Sequence, residues 1–298
     1  MTVRLGINPI TWTNDDMPEL GGDIPLETCL AEASEAGFSG IEMGGKFPRD
    51  AETLRTLLDR HSLRRVSGWY SAHLARRSAS EEAKKVDAHL RLLVAMGCSV
   101  MVFTEGHGST DGDPAAPLSR RPILPDSEWP GFCARLNETA RHLGMHGVRL
   151  AFHHHMGTVV QTEAEIDRLM AGTHDEVGLL LDTGHLVYAG GDPLAVARRH
   201  PRRIVHVHCK DVRADVLRAS LTSDSSFLRA VLDGVFTVPG DGSIDYAAVL
   251  APLARAGYSG WLVVEAEQDP AKAHPLTYAR MGFTNLRRAA EAAGFALQ

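Results

Sequence analysis

The sequence predicts an α/β protein built as a single-domain (β/α)₈ barrel. Three observations carry that reading. Short apolar runs of strand length alternate eight times with segments of helical spacing, and no break in composition separates the units. The residues able to do chemistry fall repeatedly at the carboxyl ends of the apolar runs, where barrels of this kind carry their reacting groups. An open doubly wound sheet also alternates, but it usually places a G-x-G-x-x-G turn after its first strand. Nothing of that kind follows Val3–Ile7.

The elements follow in order. Val3–Ile7 is the first strand, with a polar loop through Gly21-Gly22 behind it. Leu26, Cys29, Leu30 and Ala33 give Pro25–Ala36 helical spacing, and Gly37 stops the helix. Gly40–Met43 is the second strand, Ala51–His61 a helix and Arg65–Tyr70 the third strand. A long helix, Ser80–Met96, is expected to be capped by Ser80 and closed by Gly97. After the fourth strand, Ser99–Thr104, the proline-rich segment Gly106–Pro130 is long and irregular, which marks a lid, a binding loop or a disordered excursion. Helix Pro130–Met145 leads into the fifth strand, within G-V-R-L-A-F-H-H-H-M-G-T. Helix Thr162–Ala171, strand Val177–Asp182, helix Asp192–His200 with Pro193 at its first position, and strand Ile204–Cys209 come next. Asp211–Gly242 is a second long excursion ending in a P-G-D-G turn. Helix Tyr246–Ala256, strand Gly260–Ala266 and helix Pro275–Ala293 complete eight units.

Composition narrows the function. With 298 residues, 44% hydrophobic and 23% charged, the chain reads as an ordinary globular protein. A net charge of −6 disfavours nucleic acid or an anionic membrane as the main partner. Four dispersed cysteines without C-x-x-C spacing suit a reducing compartment. The start, MTVRLGIN, is too poor in apolar residues for a signal peptide, and no apolar run approaches membrane length. The expected location is the cytoplasm.

Glu42, Glu105, His153, Asp182, His208 and Glu265 each lie within about a residue of a strand's end. His153, Asp182, His208 and Glu265 belong to four consecutive strands and read as one metal site. Two imidazoles and two carboxylates suit Mn²⁺, Co²⁺, Fe²⁺ or Zn²⁺ better than Ca²⁺, which prefers oxygen alone. Taken singly, each residue has a plainer explanation: a satisfied structural histidine for His154, a turn for Asp182 before Thr183-Gly184. Alternation on a strand puts His153 and His155 on one face and His154 on the other, so either of the first two can be the ligand. By the same rule His206 lies one layer below His208, and Lys210 one step above it. Lys210 either meets an oxygen-rich substrate or pairs with Asp211 or Glu267. Trp12 and Trp69 are candidates for an aromatic wall at the mouth, whereas Trp261, at a strand start, suits core packing.

At these residues the chain resembles the xylose isomerase-like TIM barrels and, among them, the inosose dehydratases. The resemblance runs over nearly the whole chain, through GINPITWTNDDMPELG, FHHHMGTVVQT, LLDTGH, HVHCKDVR, SFLRAVLDGVFTVPGDG and GYSGWLVVEAEQDP. The broad family usually has Glu, Asp, His and Glu on strands five to eight. Asp182, His208 and Glu265 match three of these positions, and His153 stands where a glutamate is usual.

The resemblance implies a dehydratase that removes water from scyllo-inosose, a ring ketone with hydroxyls on every other carbon, and forms a trihydroxycyclohexane-dione. It implies one divalent ion, Mn²⁺ or Co²⁺ first, with Zn²⁺, Fe²⁺ and Mg²⁺ as further candidates. Glu265 is then a candidate base. The acid is left among His153 through its second nitrogen, His155 and a bound water. Asn8, Glu42, Lys46, Glu105, His155, His185 and Lys210 are the expected donors and acceptors around a polyhydroxylated ring. An isomerase or epimerase on the same site is the alternative activity, and a metal-stabilised binding module the non-catalytic one. The two long excursions are expected to serve as lids; their other use, as a subunit interface, keeps a homo-oligomer open.

Overall fold

A computed structural model describes residues 1–298. Eight parallel strands close on themselves: β1 (Thr2–Ile7), β2 (Gly40–Met43), β3 (Arg64–Ala72), β4 (Val100–Glu105), β5 (Arg149–His153), β6 (Val177–Asp182), β7 (Ile204–Cys209) and β10 (Trp261–Val264). Between β7 and β10 the chain adds β8 (Asp211–Val212) and β9 (Phe236–Thr237), an antiparallel pair outside the barrel. Closure is between β10 and β1, where Arg4 pairs with Trp261 and Ile7 with Val264. A last short strand, β11 (Ala296–Leu297), adds to the lower edge of β1. The (β/α)₈ barrel expected from the alternating pattern is the observed fold.

Around the strands lie α1 (Leu26–Ala36), α2 (Ala51–Arg60), α3 (Ala79–Ala95), α4 (Trp129–Gly144), α5 (Glu163–Gly172), α7 (Pro193–Arg199), α10 (Tyr246–Ala256) and α11 (Pro275–Ala292). A short α6 (Thr183–Tyr188) leaves the end of β6 directly. Their apolar stripes pack on the outer face of the strands and form the main core. The cap of α3 differs from expectation. Ser78, not Ser80, accepts from the Glu81 amide, and Glu81 returns the bond to the Ser78 amide at 2.8 Å. Ser78 has a glutamate three residues on, whereas Ser80 has Ala83, and only the former can close the reciprocal pair.

Inside the barrel the lower layers are apolar. Trp261 fills the floor with Val66 and Val263, and Val100, Val102, Ala151 and Leu180 form the layer beside it. A Cβ on Gly40 would lie 2.5 Å from the Trp261 ring, so glycine there makes room for the indole. Trp12 takes no part in a wall at the mouth: it is fully buried, and its Nε1 donates to Glu32 of α1 at 2.6 Å.

The second excursion is far more regular than its sequence suggests. It holds α8 (Ala214–Ser223) and α9 (Phe227–Leu232) between β8 and β9. These build a separate small core over the barrel mouth, in which Phe227, Val231 and Phe236 meet Met17 and Met156 from the loops after β1 and β5 and Tyr188 at the end of α6. The first excursion docks on it: Leu118 N donates to Ser225 O at 3.2 Å, and Ser119 N to Asp224 at 3.1 Å. No helix is long and apolar enough to cross a membrane.

Candidate metal centre

His153 ends β5, Asp182 ends β6, His208 lies in β7 and Glu265 follows β10. Strand pairing sets Asp182 opposite His208, and His208 opposite Val263. Their metal-ligating atoms all lie within 4.8 Å of one another. His153 Nε2 is 3.5 Å from Asp182 Oδ2, which is 3.6 Å from His208 Nδ1. His208 Nδ1 lies 2.6 Å from Glu265 Oε2.

All four residues are buried, yet both nitrogens of His153, Asp182 Oδ2 and His208 Nδ1 have no hydrogen-bond partner. Three of these atoms, His153 Nε2, Asp182 Oδ2 and His208 Nδ1, converge, and leaving them so buried would be costly unless a cation completed them. Two nitrogens and two carboxylate oxygens suit a divalent transition ion. The other Asp182 oxygen caps α6 by accepting from His185 N at 2.8 Å, which holds the first oxygen toward the centre.

Of the two histidines left open by alternation, His153 joins this group. His155 stands above it, its ring 3.9 Å from that of His185, with Nδ1 2.8 Å from Met156 O and 3.4 Å from Asp111 Oδ2. His154 points the other way, and its Nε2 accepts from Asp182 N at 3.3 Å. Burial first, then His153, pushes its pKa down to about 3, so it is a neutral structural histidine.

Glu42 is not among the groups that line the mouth. It lies beneath the centre, where it meets His206 Nε2 at 2.9 Å and His208 Nε2 at 3.2 Å. Burial alone would raise its pKa, but His208 and His206 hold it well below the ordinary carboxylate range. An ionised Glu42 accepts a hydrogen bond from the Nε2–H of His208 and leaves Nδ1 as the lone pair that faces the centre. Asn8 links both acids, donating to Glu42 at 2.9 Å and to Glu265 at 3.2 Å. Glu42→Gln is therefore expected to weaken divalent-ion affinity about 10–100-fold with the fold retained. Metal titration followed by calorimetry checks this, and unchanged affinity would remove Glu42 from that role.

A cleft of about 380 Å³ opens above the centre, with Asn8, Trp69, His155, Glu265 and Glu267 at its inner end. Trp69 sets an edge against His153 and His155 at 5.1 and 5.6 Å. Ser109, Asp111 and Gly112 of the first excursion line the rim, and Phe227 of the second packs on His155 at 5.1 Å.

The family model of the xylose isomerase-like TIM barrel matches residues 30–289. The chain belongs to that family. A relative from Rhizobium meliloti, the rhizopine catabolism protein MocC, is 53% identical over all of this chain and 91% of its own length. An inosose dehydratase from Geobacillus thermodenitrificans is 48% identical over 93% of this chain and 94% of its own. Among solved structures, the IOLI protein with a binding zinc atom matches with a TM-score of 0.64 at 18% identity, covering 98% of each chain. At that identity the likeness speaks for the barrel alone.

Two expected substrate contacts of this family member lie elsewhere. Lys46 is exposed, and its Nζ donates to the carbonyls of Gly21, Gly22 and Ile24, clamping the loop after β1. Glu105 is turned away from the cleft, because its neighbour Thr104 takes the inward position on β4. Its carboxylate accepts from His107 N at 3.0 Å and Ala75 N at 3.2 Å, tying down two mouth loops.

Burial pushes the pKa of Glu105 up from 4.5 to about 7. The folded state thus holds the proton more tightly, so this contribution is complete below about pH 4.5 and is lost as pH rises through about 7. Relative to Glu105→Gln, the wild type is expected to lose on the order of 3 kcal/mol across that interval. Urea unfolding of both proteins at the two ends measures it, and parallel pH profiles would refute it.

Proposed function

We propose that this chain is a metal-dependent inosose dehydratase, a hydro-lyase that converts scyllo-inosose to a trihydroxycyclohexane-1,2-dione in inositol catabolism. The observation that carries the reading is the near full-length similarity to inosose dehydratases at 48% identity. The site agrees with it in chemistry. His153, Asp182, His208 and Glu265 would hold one divalent ion, Mn²⁺ or Co²⁺. When bound, that ion supplies Lewis-acid stabilisation of negative charge on a ketone oxygen.

The remaining work falls to the chain itself. Proton transfers at the α-carbon and at the departing hydroxyl are assigned to Glu265, His155 and Glu267, the titratable groups at the inner end of the cleft. Asn8 orients Glu265 from below, and Lys210 orients it from above at 2.9 Å. His185 is held by Asp182 and Lys210 and steadies the ring of His155. Trp69 offers an apolar edge to the ring carbons. The two docked excursions keep bulk water from the enolised product, and a cytoplasmic location suits a catabolic enzyme of this kind.

The test is direct. Protein supplied with Mn²⁺ or Co²⁺ is expected to convert scyllo-inosose to a product whose enolised dione absorbs in the near ultraviolet, with little turnover of open-chain ketoses. Exchange of the α-hydrogen in deuterated water without water loss would replace the dehydratase by an epimerase.

A further inference from the structure

One cation of this site is built into the chain. Lys210 is fully buried, among the largest side chains with no exposure. Its Nζ lies 2.9 Å from Glu265 Oε1, 3.2 Å from Glu267 Oε1, 3.8 Å from Asp182 Oδ2 and 2.9 Å from His185 Nε2. The face of Phe236 lies 4.7 Å away. Three carboxylates, an imidazole and an aromatic face are the surroundings of a bound cation.

A second group of ligating atoms surrounds the same place. His155, His185 and Glu267 have such atoms within 4.8 Å of one another, all buried. Glu267 Oε2 is buried without a hydrogen-bond partner. Glu265 stands between the two groups. Its Oε2 faces His208 at 2.6 Å, and its Oε1 faces the ammonium. That is how a carboxylate bridges the two ions of a dinuclear centre, whose separation of about 3.5–4 Å one carboxylate can span.

We propose that the Lys210 ammonium occupies the second cation position of a site otherwise able to hold two metal ions, and thereby limits the chain to one. Gly184 at the start of α6 admits the lysine: a Cβ there would meet Lys210 Cγ at 2.5 Å. Removing the ammonium leaves a buried carboxylate charge without its partner, and a second divalent ion relieves it. The single-ion site then follows from the chain's own charge rather than from a shortage of ligands. This inference rests on the reading of the His153–Asp182–His208–Glu265 group as a metal site.

Metal content separates the two. Wild-type protein and Lys210→Ala are incubated with excess Mn²⁺, desalted and measured by mass spectrometry of the metal. The expected result is one ion per wild-type chain and a doubling in Lys210→Ala. One ion in both proteins overturns the proposal while keeping the metal site, and so do two ions in the wild type. A wild type without manganese overturns the metal-site reading, and the proposal with it. Should Lys210→Ala fail to fold, electron paramagnetic resonance of manganese-saturated wild type decides. An isolated-ion spectrum supports the proposal, and a spin-coupled pair overturns it.

Discussion

Glu265→Gln is expected to strip the bound divalent ion and to lower turnover at least about 10³-fold, equivalent to about 4 kcal/mol in the barrier. Both oxygens of this carboxylate are committed. Oε2 faces His208 Nδ1 at 2.6 Å and accepts from Asn8 at 3.2 Å, while Oε1 holds Lys210 at 2.9 Å. The amide keeps the shape and removes the charge. It also turns an NH₂ either toward the His208 lone pair, which would then be occupied as an acceptor instead of facing the ion, or toward the ammonium, which cannot accept it. Burial would raise the pKa of Glu265, yet His208 and Lys210 hold it below its ordinary value, so the ionised form is the one the site is built around. Metal content and turnover over a range of metal concentrations check this together. A variant that kept its metal and stayed within tenfold of wild-type turnover would show that Glu265 is neither ligand nor base.

His153→Glu separates binding from chemistry. The variant is expected to retain the metal, because a carboxylate oxygen replaces a nitrogen ligand, and to lose water elimination by about 10³-fold or more. His153 is fully buried, within 5.1–5.3 Å of the rings of Trp69, His155, His185 and His208. A third carboxylate beside Asp182 and Glu265 would add negative charge around a bound ion and so reduce the Lewis acidity that the ion would supply. It also repels negative charge that develops in the substrate. Exchange of the α-hydrogen in deuterated water, followed beside dione formation, shows which step is lost. Dehydration at the wild-type rate would remove the histidine from the explanation of the reaction.

The four residues of the candidate centre were legible because the signal is local. A strand's side chains alternate, and a closed parallel barrel brings the carboxyl ends of all its strands to one mouth. Asp182, His208, Glu265 and one histidine of the run, His153 or His155, needed only those two rules to be placed together. Glu42 and Glu105 satisfied the same criterion of lying near a strand's end, Lys46 was expected among the substrate contacts with them, and all three stand outside the cleft. Nearness to a strand's end specifies neither depth nor face. Glu42 belongs to the layer of His206, Glu105 is one residue out of phase with the lumen, and Lys46 lies beyond its strand and is captured by backbone carbonyls.

Asp111, Phe227 and Phe236 reach the site from the two excursions, and nothing in their local sequence announces it. By itself, then, the sequence determined the barrel, three of the four convergent residues and the family resemblance, since periodicity and strand order are properties of the chain alone. Only the tertiary structure decided which histidine of the run faces the centre and that Glu42 lies beneath it, against His206 and His208. It alone decided that the Asp211–Gly242 excursion folds as helices over the mouth, and that Lys210 is buried between two sets of ligands. Those choices depend on distances between residues far apart in sequence, and such distances are set when the barrel closes and its loops pack against one another.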